Sequence, residues 1–441
     1  TSLLKDDSRL TDEDTVIYAD TSMCEGVSKK EAHDRFKKNL YLKLQGDTGK
    51  NLPWGYLTGV RPSKIAYSML EAGNSDEEIM SEFEEKHFVS HDKAELAMQV
   101  AKTEKKILED IDYTNGYSIY IGIPFCPTTC LYCSFTSYSL AANRSKVDLY
   151  LDALVKEMRF VADRMKGRRL DTVYFGGGTP TTLEPEQLDR LLNELEADFD
   201  MSTVKELTVE AGRPDSVTAQ KLEVLKKHGV DRISINPQTM NDKTLEIIGR
   251  RHSATQVEEA FKLARSVGFD NINMDIILGL PGEGINELRY TLDKIKELKP
   301  ESLTVHSLAI KRAAALNIWR EKYEDLKFEN SDETVSLAQK YAGDIGCMPY
   351  YMYRQKNMAG NLENVGYSVP GKECIYNILI MEEKQTIIAM GAGASTKAVF
   401  DADQPNPRIE RVENVKDLTS YISRIDEMIE RKRLFFDNNM L

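Results

Sequence analysis

Three shortages in the sequence each exclude a class of protein. Six cysteines among 441 residues are too few and too unevenly placed for a secreted disulfide framework. Basic residues are in deficit, 58 Lys and Arg against 71 Asp and Glu, which leaves a formal charge of −13. General nucleic-acid binding rests on phosphate neutralisation by Lys and Arg, so that class is disfavoured, whereas a local basic pocket for a small anion is not. No apolar run approaches the roughly 18 residues that a membrane span requires. The first thirty residues are acidic and polar, with no legible signal peptide. A soluble cytoplasmic protein without a membrane or nucleic-acid partner is expected.

What is present is an ordinary globular composition, 41% hydrophobic and 29% charged, in a chain long enough for two or three domains. Strand-like runs at 117–123, 172–175, 206–211, 232–236, 271–278 and 302–307 alternate with helical stretches near 148–166, 185–198, 216–228, 241–248, 255–267 and 285–298. Such alternation implies parallel strands with crossover helices. Six units fall short of the eight that close a barrel. The expected fold is therefore α/β, a partial (β/α)6 TIM-type barrel over 117–310, with functional groups at the carboxyl ends of its strands. Residues 1–116 read as a mainly helical N-terminal domain, with helices near 63–72 and 92–111. Residues 311–441 read as a C-terminal α+β domain, with a helix near 331–345, strands around 350–353 and 376–390, and a charged helix near 415–433.

Three of the cysteines crowd into the run Tyr120-Ile-Gly-Ile-Pro-Phe-Cys126-Pro-Thr-Thr-Cys130-Leu-Tyr-Cys133, directly after the first core strand. Three thiolates on one loop can each take one iron of a cubane cluster, which leaves a fourth iron open for chemistry. A zinc knuckle is the competing reading. It needs a fourth ligand, and no second cysteine or cysteine–histidine pair has the spacing to supply one, so only a remote histidine remains. Cys24, Cys347 and Cys374 are scattered and are expected to be inert thiols. The C-x3-C-x2-C spacing with an aromatic before its last cysteine resembles the signature of the radical S-adenosylmethionine (SAM) superfamily. The resemblance implies a [4Fe–4S] cluster on Cys126, Cys130 and Cys133, with the amino and carboxylate groups of SAM on the unique iron. Electron transfer into the sulfonium would then give methionine and a 5′-deoxyadenosyl radical. Tyr132 matches the family's aromatic beside the adenine.

Further motifs follow in order. Val173-Tyr-Phe-Gly176-Gly177-Gly-Thr179-Pro is a strand running into glycines, which permit close backbone approach to a ligand. Glu210 ends the third strand and Gln238 follows the fourth. Arg250 lies in Gly-Arg-Arg-His, and Asp275 and Ile277 lie in Asn-Met-Asp-Ile-Ile-Leu-Gly-Leu-Pro-Gly. This set, with Gly391-Ala-Gly-Ala, resembles the oxygen-independent coproporphyrinogen III oxidase family. Leu57-Thr-Gly-Val-Arg-Pro-Ser-Lys64 and Tyr353-Arg-Gln-Lys-Asn-Met resemble its HemZ-like branch. By that resemblance Tyr120, Gly176, Gly177 and Thr179 adjoin the cluster and SAM. Glu210, Gln238, Arg250 and Asp275 hold SAM's polar groups, a guanidinium forking onto a carboxylate and an aspartate accepting from ribose hydroxyls, and Ile277 meets the adenine. Two positions depart from the main branch: Gly122 replaces a histidine and Phe135 a fourth cysteine.

The implied reaction is oxidative decarboxylation of coproporphyrinogen III to protoporphyrinogen IX without oxygen. It calls for a reducing partner such as flavodoxin or ferredoxin and for an electron acceptor that the sequence does not identify. A substrate with four propionates needs cations, for which His306, Lys311, Arg312 and Arg354 are the candidates, with Lys356 nearby and Tyr350, Tyr351 and Tyr353 to stack on the macrocycle. Another radical reaction on a tetrapyrrole (methyl transfer or haem ring opening), a non-catalytic haem carrier, and an enzyme acting on tRNA are the alternatives.

Overall fold

The computed structural model describes residues 27–59, 61–309, 330–355, 362–402, 404 and 407–439. These fall into two compact units, one within 27–58 and 77–94, the other within 59–76 and 95–439. No described helix is long and apolar enough to cross a membrane.

The smaller unit is built on α1 (Lys29–Thr48). The Ser28 hydroxyl accepts from the Glu31 N–H at 3.2 Å to start this helix, and Gly49, at φ +66°, ends it. A π-helical turn at Glu82–Lys86 buries Phe83, and Val89 pairs with the buried Trp54 through an isolated bridge. Three more helices precede the sheet, α2 (Ser63–Glu71), α3 (Asp76–Ser81) and α4 (His91–Leu108).

The larger unit is organised by one sheet. Its strands are β1 (Tyr117–Ile123), β4 (Leu170–Gly177), β5 (Glu206–Glu210), β6 (Arg232–Ser234), β7 (Ile272–Leu278), β8 (Ser302–Ser307), β9 (Met348–Tyr353), β10 (Asn364–Ser368), β11 (Thr386–Met390), β12 (Ser395–Phe400) and β13 (Arg408–Glu413). A separate two-residue parallel pair, β2 (Phe125–Cys126) and β3 (Tyr138–Ser139), brackets the cysteine loop. The order is β13-β12-β11-β1-β4-β5-β6-β7-β8-β10-β9, and every neighbouring pair from β11 to β8 is parallel. All six core strands read from the sequence are present in sequential order. Their near-continuous apolar runs fit strands covered on both faces, as the burial of Ile119, Ile121 and Ile123, or of Ile272, Met274 and Ile276, shows.

The crossover helices are α6 (Val147–Arg164), α7 (Pro185–Asp198), α8 (Ala219–Lys227), α9 (Asp242–Ile247), α10 (Ala254–Val267) and α11 (Ile285–Leu298), with a single turn α5 (Leu140–Asn143) before them. Thr218 and Ser253 cap α8 and α10, fixing where the chain turns back from the strand ends. Four further described helices close the fold: α12 (Asp332–Asp344), α13 (Ile375–Glu382), and the C-terminal pair α14 (Leu418–Ser423) and α15 (Ile425–Asn439).

The sheet runs past the core on both sides. β11 lies parallel beside β1, with Tyr120 opposite Ala389, and β10 lies antiparallel beside β8. Strands from residues 311–441 thus share a sheet with those of 117–310. The segment 376–390, expected to be extended, divides into helix α13 and strand β11. A carboxylate locks the C-terminal helices against β11. Glu157 of α6 is fully buried and accepts from Gly391 N at 2.9 Å, Asn414 Nδ2 at 2.8 Å, Tyr421 Oη at 2.6 Å and Lys432 Nζ at 2.5 Å.

Candidate active site at the strand ends

Parallel topology brings the carboxyl ends of β4 to β8 and the cysteine loop to one place. There they enclose a cavity of about 260 Å³ lined by Cys126, Cys130, Cys133, Tyr132, Gly177, Thr179, Glu210, Gln238, Arg250, Asp275, Ile277 and His306. Most residues expected at the site therefore meet on one surface.

The cysteine loop has little regular structure, so its shape depends on tethers. Leu131 N donates to Ile248 O at 2.9 Å, and Thr128 Oγ1 to Gly249 O at 2.9 Å. Cys133 N closes a turn onto Cys130 O at 3.1 Å, and Thr179 Oγ1 lies 3.6 Å from Cys126 Sγ. Leu131 and Tyr132 pack into an apolar cluster with Leu245, Ile248, Ile277, Leu280 and Leu308, which anchors the loop between its second and third cysteines. On the β4 side, Gly178 N–H bonds Ile123 O at 2.8 Å, and a Cβ on Gly178 would come within 2.5 Å of Phe125 O. Only glycine fits there. Gly177, at φ +110°, turns the chain past the cavity.

Among the described residues, three buried polar atoms of the cavity lining have no protein partner: Asn236 Oδ1, Gln238 Oε1 and Arg250 Nε. Buried polar groups are nearly always satisfied, so the cavity is built for a polar ligand. Gln238 holds φ +66°, uncommon for a non-glycine residue. Its N–H bonds Asp275 O at 2.9 Å and its carbonyl accepts from Ile277 N at 3.0 Å, so β7 fixes it in place. Arg250 directs its Nη atoms at the carbonyls of Gly212, Asn236 and Pro237. That arrangement ties the loops after β5 and β6 together.

Electrostatics divides the two cavity carboxylates. Burial pushes Glu210 from the ordinary 4.5 up to about 7; the hydrogen bond from Tyr174 Oη (2.7 Å) opposes this and nearby Asp275 adds to it. Asp275 is buried too, but the hydrogen bond and charge of His306, with help from Asn273 and Thr304, outweigh burial and hold it below the ordinary carboxylate range. Glu210 is thus an acceptor that gains from a cationic ligand group, while Asp275 stays ionised. A folded-state value above the unfolded one means that Glu210 stabilises the ligand-free fold fully below pH 4.5 and that this contribution is lost as pH rises through about 7. Melting temperatures of the ligand-free protein should therefore fall relative to those of Glu210→Gln across that window; parallel profiles would contradict the assignment.

Some expected residues lie elsewhere. Gly176 sits behind the cavity against Tyr174 and Glu210. Tyr120 lines a neighbouring cavity of about 230 Å³ with Gly122, Phe135, Gly177 and the turn Ala392–Ala394. It stacks on Tyr174 and Tyr376, with ring centroids 6.2 and 6.3 Å away. Arg354 is buried and does not line the main cavity, whereas its neighbours Tyr353 and Gln355 do. Lys311, Arg312 and Lys356 lie outside the described residues, as does Cys24. Cys347 and Cys374 are buried, and no described cysteine is in a disulfide. The structure adds Arg213, Asn236 and Gly178 to the lining. The run Glu210-Ala-Gly-Arg-Pro places Arg213 just after a strand but does not by itself mark it as a site residue.

Among the described residues no three His, Cys, Asp or Glu side chains converge on a site for a single metal ion. A zinc knuckle would need such convergence. A cubane takes each thiolate on a different iron, a donor set that the three cysteines of this loop supply.

Residues 120–295 match the family described as the Radical SAM superfamily. The chain is 42% identical over 414 residues to the oxygen-independent coproporphyrinogen-III oxidase-like protein HemZ of Bacillus subtilis (strain 168), covering 92% of this chain and 82% of that protein. The heme chaperone HemW of the same organism is 40% identical over 194 residues, 44% of this chain and 50% of that protein. Among solved structures, coproporphyrinogen III oxidase (HemN) from Escherichia coli shares the fold with a TM-score of 0.56 at 22% identity, covering 74% of this chain and 73% of that one.

Proposed function

The chain belongs to the radical SAM superfamily and, within it, to the HemZ and HemN family, whose cofactors are a [4Fe–4S] cluster and SAM; from that premise we propose that it oxidatively decarboxylates two of the four propionates of coproporphyrinogen III to vinyl groups without oxygen, giving protoporphyrinogen IX. The observation that carries the reading is the gathering of Cys126, Cys130 and Cys133 with the orphaned atoms of Asn236, Gln238 and Arg250 on one cavity. We assign the cofactor-binding core to residues 117–310, flanked by 1–116 and 311–441.

When bound, the cofactors supply a carbon radical able to take a hydrogen atom from an unactivated C–H bond. The chain's own groups bind, orient and enclose. Cys126, Cys130 and Cys133 would hold the cluster beside the cavity they line. Arg250 Nε donates to a carboxylate and Glu210 accepts from an ammonium, which returns its carboxyl to the ionised form. Asp275, kept ionised by His306, accepts from ribose hydroxyls, and Ile277 and Tyr132 flank an adenine. His306, 3.5 Å from Tyr353 Oη, stands on the β8 side, where we place the tetrapyrrole. Each of the two reacting propionates gives up a hydrogen atom, carbon dioxide and one electron, so an external acceptor is needed, as is a reductant such as flavodoxin or ferredoxin. We place the protein in the cytoplasm, a setting consistent with described helices none of which is long and apolar enough to cross a membrane.

The match to a heme chaperone supports a second reading, a non-catalytic haem carrier. Anaerobic reconstitution with iron and sulfide, followed by incubation with coproporphyrinogen III and with haem in parallel, separates the two. We expect 5′-deoxyadenosine and carbon dioxide to appear together and to depend on coproporphyrinogen III. Stoichiometric retention of haem with no turnover would replace the oxidase with the carrier.

A further inference from the structure

Arg213 occupies a position that cofactor binding alone does not explain. It lies three residues beyond β5 and is 2% exposed. Its Nε and Nη2 fork onto Asp215 Oδ1 and Oδ2 at 2.9 and 2.8 Å. The remaining nitrogen, Nη1, faces the cysteine loop. It donates to Thr128 Oγ1 at 3.1 Å and lies 3.7 Å from Cys130 Sγ. Thr128 is itself tethered to Gly249, so the guanidinium is held on both sides of the loop's centre.

The fork and the third nitrogen do different things. A bidentate carboxylate fixes the guanidinium plane and neutralises most of its charge at a distance. Nη1 remains the positive end, and it points at the sulfur. The Arg213 and Asp215 side chains are 3% and 19% exposed, so bulk salt screens the arrangement poorly. His252, with a fully buried side chain 3.9 Å from Asp215, is pushed down to about 3 by burial and then by Arg250 and Arg213, so it adds no charge near neutral pH. Iron–sulfur potentials follow net charge, hydrogen bonds to the sulfurs and exposure to water.

We propose that Arg213 is a positioning residue that raises the reduction potential of the cluster through Cys130, with Asp215 setting how much of its charge the cluster feels. The inference rests on Cys130 being a cluster ligand, as argued above. A positive charge beside one sulfur stabilises the added electron, so a cellular reductant loads the cluster more readily.

The test compares the reconstituted wild type with Arg213→Met and Asp215→Asn, with iron and sulfide counted and the midpoint potential read by electron paramagnetic resonance during a redox titration. Arg213→Met should move the potential down. Asp215→Asn, which keeps the guanidinium but removes its counter-charge, should move it up. A merely structural role would loosen the loop in both variants and shift both the same way; shifts of one sign, or none at full iron content, overturn the proposal. Should Arg213→Met fail to retain the cluster, Asp215→Asn decides alone: an upward shift supports the proposal, and no shift or a downward one overturns it. Failure of the ligand assignment looks different, because then Cys130→Ala would keep the cluster.

Discussion

Cys130→Ala is expected to abolish the iron-dependent visible absorbance of the reconstituted protein and to reduce SAM cleavage below detection. Each of the three thiolates takes a separate iron, so two remaining ligands leave half of the cubane without protein anchorage. The neighbouring side chains cannot compensate: Tyr132 is packed in the apolar cluster, and Arg213 and Arg250 are cations. Cys126→Ala and Cys133→Ala should behave alike. Cys347→Ala is the control. That thiol is buried against Glu301 O at 3.5 Å, and its loss should leave iron content and SAM cleavage unchanged. Full SAM cleavage in any of the three loop variants would overturn the ligand assignment.

The second large effect concerns stability. Glu157→Ala leaves Lys432, 1% exposed in its side chain, with only the Ala389 carbonyl at 2.8 Å, and removes the acceptor of Gly391 N, Asn414 and Tyr421 at once. Breaking a buried pair from one side costs about 3–5 kcal/mol, because the surviving charge is stranded. Urea denaturation should show that loss in the transition that reports the larger unit. Replacing both partners by leucine should recover only the part due to the stranded Lys432 charge, since Gly391 N and Tyr421 remain without their acceptor. A single-variant loss below about 1 kcal/mol would mean that water reaches the site on relaxation. Because Gly391 N and Asn414 flank the turn that borders Tyr120 and Gly122, the same variant should also lower the affinity for SAM.

Much of this architecture was readable because its signals are local. Strand-like runs alternating with helical stretches placed the six core strands, and ionisable residues at their ends pointed at the mouth. The parts that were not readable have physical reasons. α1 is polar over most of its surface, so periodicity hides it, although Ser28 and Gly49 mark both ends. α13 is apolar on most sides because it is buried, and a short apolar run cannot be told from a strand by pattern alone. The pairing of β11 with β1 joins residues more than 260 positions apart, which no local rule encodes. At the site, the cysteine spacing declared itself, whereas Arg213 did not. A lone arginine after a strand acquires meaning only when the fold sets Thr128 and Cys130 against it. Tyr120, expected at the site by resemblance, lines the adjoining cavity and not the main one.

Catalysis at this site requires an iron left open toward the cavity by three loop thiolates. Electron paramagnetic resonance of the reduced, reconstituted protein, recorded with and without SAM, addresses that directly. We expect the signal of a reduced [4Fe–4S] cluster whose g-values change when SAM is added, because the cofactor's amino and carboxylate groups reach the vacant iron. A cluster spectrum indifferent to saturating SAM would mean that a fourth side chain closes the cluster, and the site described here would not be catalytic.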